Sequence, residues 1–301
     1  MGLPSPRSAT PFPGWSPGFQ AALERLTLVA RRPSRGHHAG AVRSLHRGRA
    51  LEFADFRPYV PGDDPRLVDW RTYARLGRLY LKQYDEERSR TLTLLLDASA
   101  SLDWGDDEAH KGRYARRLAA ALGWIALSHH EPTRAFLLRD GSAQPLPPAA
   151  TKAGVGALFR ALANVAEAGR TDLAAAVERA LAAPARGPVV LLSDLLDPTW
   201  PAALRALAAA DEGVVLQVLA PAEWEPPLGE EVELEDVETG ALLPTRLGPA
   251  ELAAYRAQLQ RFLEAVRGQA SRLGLLHVAL NTGAPLQDAV FRHLVGAGVL
   301  A

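Results

Sequence analysis

The sequence predicts an α/β fold with a doubly wound, mainly parallel sheet that carries helices on both faces. Two runs of β-branched and leucine residues without a charged residue, 91–96 and 189–192, are typical of strands that are covered on both sides. Segments rich in Ala and Leu alternate with runs of this kind along the chain. Strands that alternate with helices indicate parallel strands joined by crossover helices.

The elements begin after a lead-in over residues 1–18, which holds five prolines and little periodicity and is expected to be flexible. A helix is predicted over 19–31, and strand-like segments with turns over 43–90, so that residues 19–90 form a smaller N-terminal β-containing appendage. The main domain is predicted over 91–301. Its predicted helices cover residues 112–130, 154–166, 172–182, 201–210, 249–273 and 286–294, and its predicted strands residues 91–96, 134–138, 189–192, 214–219 and 275–280.

A late acidic hairpin is predicted at residues 230–247 of the main domain. Charged residues alternate there with Val and Leu, and Glu238, Thr239 and Gly240 supply a turn. This alternation is typical of an edge hairpin with one solvated face.

Bulk composition limits the class of protein. The chain has 301 residues, of which 48% are hydrophobic, and its formal net charge is zero. No apolar run is long enough to cross a bilayer and the first residues lack the apolar core of a signal peptide, so we expect a soluble, cytoplasmic protein without membrane contact. The absence of cysteine excludes disulfides, thiolate nucleophiles and cysteine-based zinc clusters.

The charges are unevenly distributed. Residues 1–90 hold 16 Lys or Arg against 9 Asp or Glu, and residues 31–49 form a basic segment that offers nucleic-acid binding as one hypothesis. No aromatic residues are interleaved with these charges, as base stacking would need. A bias toward arginine, with only three lysines in the chain, explains the segment more simply.

A metal-site pattern follows the first buried strand. Asp97, Ser99 and Ser101 stand at alternate positions of the loop after residues 91–96, and the carboxyl ends of parallel strands are where open α/β sheets bind ligands. A carboxylate and two hydroxyls can converge there on a cation that prefers oxygen ligands. The alternative is an Asp that ends a strand and a Ser that caps the next helix.

Two further positions strengthen the metal interpretation. Thr171 precedes a strong helix-forming segment, where Thr171 or Asp172 is also suited to cap the helix. Asp194 follows the second buried strand. In a parallel sheet, the two strand-end aspartates are expected to face one crevice.

Together these positions resemble the metal-ion-dependent adhesion site of von Willebrand factor A domains, in the same order and strand context. The resemblance covers residues from about 91 to the C-terminus. It implies that Mg²⁺ or Mn²⁺ is bound, directly or through water, and that one coordination position is left for a partner's carboxylate. The residues implied as ligands are Asp97, Ser99, Ser101, Thr171 and Asp194.

The upstream region resembles the bacterial domain of unknown function 58, and with the main domain this resemblance spans residues from about 26 to 300. It implies a MoxR-type AAA+ ATPase, or a client of that ATPase, as a protein partner. The residues that carry it are Glu52-Phe53, Arg57, Tyr59, Pro61-Gly62-Asp63-Asp64, Arg66, Asp69-Trp70, Ala74-Arg75, Lys82 and Glu86.

Within this region Arg57, Asp64, Arg66 and Asp69 alternate in sign before Trp70. Such charges either form a buried ion network that anchors this segment to the main domain, or they bind a ligand. The sequence leaves both interpretations open.

We therefore predict a non-enzymatic, metal-dependent protein-interaction module that works with a MoxR-type ATPase in the assembly or maturation of a complex. The sequence has no phosphate-binding loop of the Gly-x-x-x-x-Gly-Lys-Ser/Thr type and no Gly-x-Ser-x-Gly motif. A metal-dependent hydrolase or phosphotransferase is the alternative, because a bound divalent ion can activate water and Asp97 stands at a strand end. Ser99 occupies the position where an aspartyl-phosphate enzyme commonly has a second Asp.

Overall fold

The computed structural model describes residues 12–29, 53–60, 68–84, 90–183, 186–226, 229–235 and 242–301. They fall into two compact units. The small unit lies within Arg35–Ser89, and the large unit combines Met1–Ser34 with Arg90–Ala301.

Helices and strands follow one another along the described chain. The helices are α1 (Pro17–Leu23), α2 (Trp70–Leu76), α3 (Lys111–Ser128), α4 (Val155–Ala163), α5 (Leu173–Ala180), α6 (Trp200–Leu207), α7 (Pro221–Trp224), α8 (Pro249–Arg272) and α9 (Leu286–Asp288), which continues as a π-helical segment, Ala289–Leu294. The strands are β1 (Phe53–Pro58), β2 (Tyr80–Tyr84), β3 (Leu92–Asp97), β4 (Thr133–Arg139), β5 (Ser142–Pro145), β6 (Pro188–Ser193), β7 (Glu212–Leu219), β8 (Gly229–Glu235), β9 (Leu242–Leu247) and β10 (Leu276–Asn281).

The large unit contains a six-stranded mixed sheet in the order β10-β7-β6-β3-β4-β5. Every neighbouring pair is parallel except β4 and β5. The predicted α/β class is confirmed, and the strand that ends in Asp97 is an interior one. The edge strand β5 was not predicted; it follows a tight turn in which Asp140 and Gly141 both have positive φ, 50° and 65°.

Two apolar layers explain why β3 is rich in leucine. Leu94 and Leu96 pack in one core cluster with α1, α3, α4 and the C-terminal helical segment, whereas Leu95 packs in a second cluster with α5, α6 and α8. Successive residues of a strand point to opposite faces of the sheet, so both faces need apolar side chains here.

The N-terminal segment differs from the predicted lead-in and long helix. Phe12 and Trp15 are buried, and their rings lie 5.7 and 5.8 Å from the Phe159 ring, so residues 12–18 belong to the large unit. Helix α1 ends at Leu23 rather than near residue 31, because the chain then extends and Leu28 pairs with Leu300. Residues 1–11 lie outside the described residues.

In the small unit β1 and β2 pair antiparallel. Asp69 caps α2, since its carboxylate accepts hydrogen bonds from the amide and the hydroxyl of Thr72 at 3.4 and 3.3 Å. Asp64, Arg66 and the side chain of Arg57 lie outside the described residues, as does the basic segment 31–49. The ion network therefore stays a prediction.

The predicted late hairpin is present as the antiparallel pair of β8 and β9. Its turn, residues 236–241, is outside the described part of the chain. Across the residues that the structure describes, no helix combines the length and the apolar character needed to span a bilayer.

Candidate functional site

The candidate site lies at the carboxyl ends of two neighbouring parallel strands. Asp97 ends β3, and Asp194 follows directly after β6, which pairs with β3. Asp97 and Asp194 are 3% and 1% exposed. Two carboxylates are thus buried at the same edge of the sheet, where burial of charge requires close partners.

The first loop curls around the Asp97 carboxylate. Oδ1 of Asp97 accepts hydrogen bonds from the Ser99 amide at 3.0 Å and from the Ser99 hydroxyl at 2.8 Å. The Ser99 and Ser101 hydroxyl oxygens lie 3.0 Å apart. The three predicted oxygen ligands of this loop are therefore adjacent.

The second loop brings a hydroxyl to the same carboxylate oxygen. The buried Thr171 hydroxyl donates to Asp97 Oδ1 at 3.2 Å. Asp172, not Thr171, caps α5 by accepting a hydrogen bond from the Ala175 amide at 3.0 Å. The Thr171 hydroxyl is therefore not used by the helix.

Backbone hydrogen bonds hold the first and second loops together. The Ala168 amide donates to the Ala98 carbonyl and the Ala100 amide to the Gly169 carbonyl, both at 3.0 Å. Gly169 has φ of +77°, and an added Cβ there would lie 3.0 Å from an oxygen of Asp140. Glycine allows this conformation, which most other residues avoid.

In the third loop, protein donors bind both oxygens of Asp194. Oδ1 accepts a hydrogen bond from the Leu196 amide at 3.1 Å, and Oδ2 lies 2.8 Å from Lys111 Nζ. Between them Leu195, fully buried, has φ of +61°, a strained conformation for leucine. The structure thus joins Asp97, Ser99, Ser101 and Thr171 in one hydrogen-bonded cluster, with Asp194 beside it but paired to Lys111.

Three further residues complete the arrangement and were not predicted. The Ser193 hydroxyl donates to Asp97 Oδ2 at 2.6 Å. Lys111, whose side chain is 1% exposed, bridges Asp194 and Glu223, with Nζ 2.7 Å from Glu223 Oε1. Ser193 was recognisable by its position before Asp194, and Lys111 as one of three lysines in a chain rich in arginine. No local sequence pattern identifies Glu223 as a residue of the site.

The pKa shifts show an excess of negative charge. Burial, and then the charge of Asp194, raise the pKa of the Asp97 carboxyl to about 6. Burial also raises the pKa of Glu223, although Lys111 opposes this shift. Burial lowers the pKa of Lys111, but Asp194 and Glu223 outweigh it and leave that pKa above its ordinary value. The ammonium of Lys111 pairs with two carboxylates, Asp194 and Glu223, and Asp97 adds a third carboxylate to the site.

These residues fit a hard divalent cation. Asp97, Asp194 and the hydroxyls of Ser99, Ser101 and Thr171 are all oxygen donors, which Mg²⁺ and Mn²⁺ prefer, and a divalent charge would offset the excess negative charge. Such an ion supplies positive charge and attracts a further oxygen ligand. Within the described ranges, no group of three or more His, Cys, Asp or Glu side chains is arranged to hold a metal; three of the five candidate ligands here are hydroxyls.

A polar chain, buried at Gln217 and partly buried at His277, supports the third loop from behind. The Gln217 amide nitrogen on β7 donates to the Asp194 carbonyl at 3.0 Å, and Gln217 Oε1 lies 3.0 Å from His277 Nε2 on β10. Since Oε1 can only accept, His277 donates from Nε2. Burial, and then Arg267, lower the pKa of His277 to about 4, so the ring is neutral at pH 7.

Comparison with known proteins gives the family. Residues 55–267 match the family model described as "Protein of unknown function DUF58". The chain belongs to the DUF58 family. The matched range contains Asp97, Lys111, Asp194 and Glu223, so the whole site lies inside the DUF58 match.

Relatives and solved structures resemble this DUF58 chain to different extents. "Uncharacterized protein Rv1480" of Mycobacterium tuberculosis is 33% identical over 259 residues, 81% of each chain. "Uncharacterized protein YeaD" of Bacillus subtilis is 37% identical over 57 residues, 19% of this chain and 14% of the relative. A solved structure of the conserved hypothetical protein BatB from Bacteroides thetaiotaomicron is 17% identical, with a TM-score of 0.43 over 69% of this chain and 98% of that chain.

We expect protonation of His277 to destabilise this DUF58 protein in mild acid. The folded pKa of about 4 lies below the ordinary 6.5, so the stability gained from the neutral ring is complete above pH 6.5 and is lost as the pH falls toward 4. From about pH 7 to about pH 4.5, the free energy of unfolding should fall by about 2 kcal/mol more in the wild type than in His277→Gln. Urea unfolding at both pH values measures this, and equal losses would contradict it.

Proposed function

We propose that the large unit is a von Willebrand factor A-like domain that binds Mg²⁺ or Mn²⁺ and recognises a protein partner through that ion. The protein would be a non-enzymatic interaction module that works with a MoxR-type AAA+ ATPase or its client. A partner carboxylate would complete the coordination of the ion. The residues that would hold the ion, directly or through water, are Asp97, Ser99, Ser101, Thr171 and Asp194.

One observation carries this proposal: hydroxyls from two separate loops converge on one strand-end carboxylate. Ser99 and Thr171, 72 positions apart in sequence, both donate to Asp97 Oδ1. Structural capping alone does not need this convergence, because Asp172 caps α5 and Ser99 makes no capping hydrogen bond to its 3-10 turn.

An apolar rim beside the cluster supports protein binding. Leu196, 51% exposed, is the residue whose amide binds Asp194, and Trp104, 48% exposed, offers its carbonyl to the Lys111 amide. Both therefore lie on loops that form the site. Exposed tryptophan is enriched at protein interfaces, and an exposed leucine beside it adds apolar contact area. The partner segment should be acidic with apolar neighbours.

Binding to a purified MoxR-type ATPase from the same organism tests the proposal. We expect Ser99→Ala and Thr171→Ala to weaken binding by about tenfold or more, because each removes an oxygen from the ion's surroundings. Leu196→Ala should weaken binding without changing metal affinity. An ATPase has its own Mg²⁺ requirement, so all proteins are compared in Mg²⁺ by biolayer interferometry rather than by adding a chelator.

Matched controls are available at the opposite edge of the sheet. Ser128→Ala removes a hydroxyl that binds the Trp124 carbonyl at the far end of α3, and Val295→Ala shortens an exposed aliphatic side chain in the C-terminal segment. Both should bind like the wild type. Unchanged binding by folded Ser99→Ala and Thr171→Ala proteins would exclude recognition through the ion.

A phosphotransferase is the second candidate, and Lys111 is the observation that favours it. A buried lysine, a threonine and a strand-end aspartate are chemically suited to forming an aspartyl phosphate. Incubation with acetyl phosphate and Mg²⁺, followed by mass spectrometry, separates the two functions. The interaction module predicts no phosphoryl adduct, whereas an adduct on Asp97 would favour the transferase.

A further inference from the structure

The ammonium of Lys111 is buried between two carboxylates beside the candidate ligands. Nζ lies 2.8 Å from Asp194 Oδ2 and 2.7 Å from Glu223 Oε1. The other Asp194 oxygen accepts a hydrogen bond from the Leu196 amide. Both oxygens of a proposed metal ligand are therefore engaged by donors of the protein itself.

Helix formation does not explain this lysine. Lys111 is the first residue of α3, where the helix dipole disfavours a cation, and His110 already caps the helix by accepting a hydrogen bond from the Arg113 amide at 3.3 Å. Arginine is the usual cation of this chain, which has three lysines among 34 basic residues. A compact ammonium, unlike a planar guanidinium, fits between two carboxylates in a closed space.

We propose that Lys111 competes internally with the divalent cation for Asp194 and so lowers the metal affinity of the free protein. This inference rests on the proposed metal site. Two cations beside one carboxylate repel each other, and Asp194 can turn toward a metal only by weakening its bond to Lys111. A partner's carboxylate restores the negative charge that Lys111 neutralises. Metal and partner should therefore bind cooperatively.

Glu223 gives Lys111 a second partner and so makes release of Asp194 feasible. Its other oxygen, Oε2, accepts a hydrogen bond from the Ala220 amide at 2.7 Å, which holds the carboxylate in place. If Lys111 leaves Asp194, its ammonium stays paired to Glu223 rather than becoming an isolated buried charge. Glu223 is a positioning residue for Lys111.

Calorimetric titration of the full chain with Mn²⁺ tests this proposal. We expect Lys111→Met to bind Mn²⁺ about tenfold more tightly than the wild type or better. Glu223→Gln should weaken Mn²⁺ binding several-fold, because Lys111 then has Asp194 as its remaining charged partner. Lys152→Met is the matched control and should bind like the wild type, since Lys152 pairs with Glu24 in a partly exposed position.

The outcomes separate this proposal from the metal site itself. Circular dichroism verifies that each variant is folded. If Lys111→Met is unfolded, the double variant Lys111→Met with Glu223→Gln must bind Mn²⁺ more tightly than the wild type instead. If the wild type binds Mn²⁺ and the folded Lys111→Met protein binds it no more tightly, the proposed role of Lys111 is overturned. The metal site itself would then still stand. Absence of Mn²⁺ binding in every protein would overturn both.

Discussion

Asp97→Asn should abolish the stabilisation of this protein by Mg²⁺. A ligand that binds the native state alone adds about 2.7 kcal/mol to the free energy of unfolding at one hundred times its dissociation constant. The wild type should gain this amount in Mg²⁺, and the variant should gain nothing, because the carboxylate on which the hydroxyls converge has lost its charge. Urea unfolding with Mg²⁺ and with a chelator measures both.

In a chelator at about pH 8, where no Mg²⁺ is bound, the wild type should lose its stability advantage over Asp97→Asn. The folded pKa of Asp97, about 6, lies above its ordinary 3.8, so the stability associated with the protonated carboxyl is present at low pH and is lost as the pH rises through 6. The neutral amide of Asp97→Asn avoids this loss. The variant should then be at least as stable as the wild type. Equal gains in Mg²⁺ for both proteins would show that the ion binds elsewhere.

Lys111→Met should lower the free energy of unfolding of the metal-free protein by about 3–5 kcal/mol. The substitution leaves Asp194, and Glu223 beside it, without the ammonium that neutralises them. Urea unfolding in a chelator measures the loss, and Mg²⁺ should restore more stability to this variant than to the wild type, because the ion then replaces the missing positive charge.

The control for this effect is Lys152→Met. Lys152 pairs with Glu24 at 2.7 Å and lies 4.9 Å from the Trp124 ring centre, but it is partly exposed, so its loss should cost no more than about 1–2 kcal/mol. Similar losses in the two lysine variants would mean that the buried ion bridge contributes little.

Local sequence patterns were enough to predict the interior strand β3 and part of the candidate site. The leucine-rich run of β3, which has no charged residue before Asp97, predicts an interior strand, because its leucines fill cores on both faces. The spacing of Asp97, Ser99 and Ser101 predicts a loop that turns its oxygens together, and the structure has this arrangement.

The ion bridge could not be predicted in the same way. Lys111 and Glu223 are 112 positions apart and meet only because α3 and α7 reach the same edge of the sheet. Likewise the burial of Phe12 and Trp15 depends on Phe159, far along the chain, and not on any local periodicity. Contacts of this kind are properties of the fold rather than of a sequence window.

The most direct measurement is anomalous diffraction from crystals grown with Mn²⁺. We expect one strong anomalous peak per chain, next to Asp97 and within reach of the hydroxyls of Ser99, Ser101 and Thr171, and no such peak in crystals of Asp97→Asn grown in the same way. A peak at another position, or none at a Mn²⁺ concentration that stabilises the protein in solution, would contradict the assignment of this cluster as the metal site.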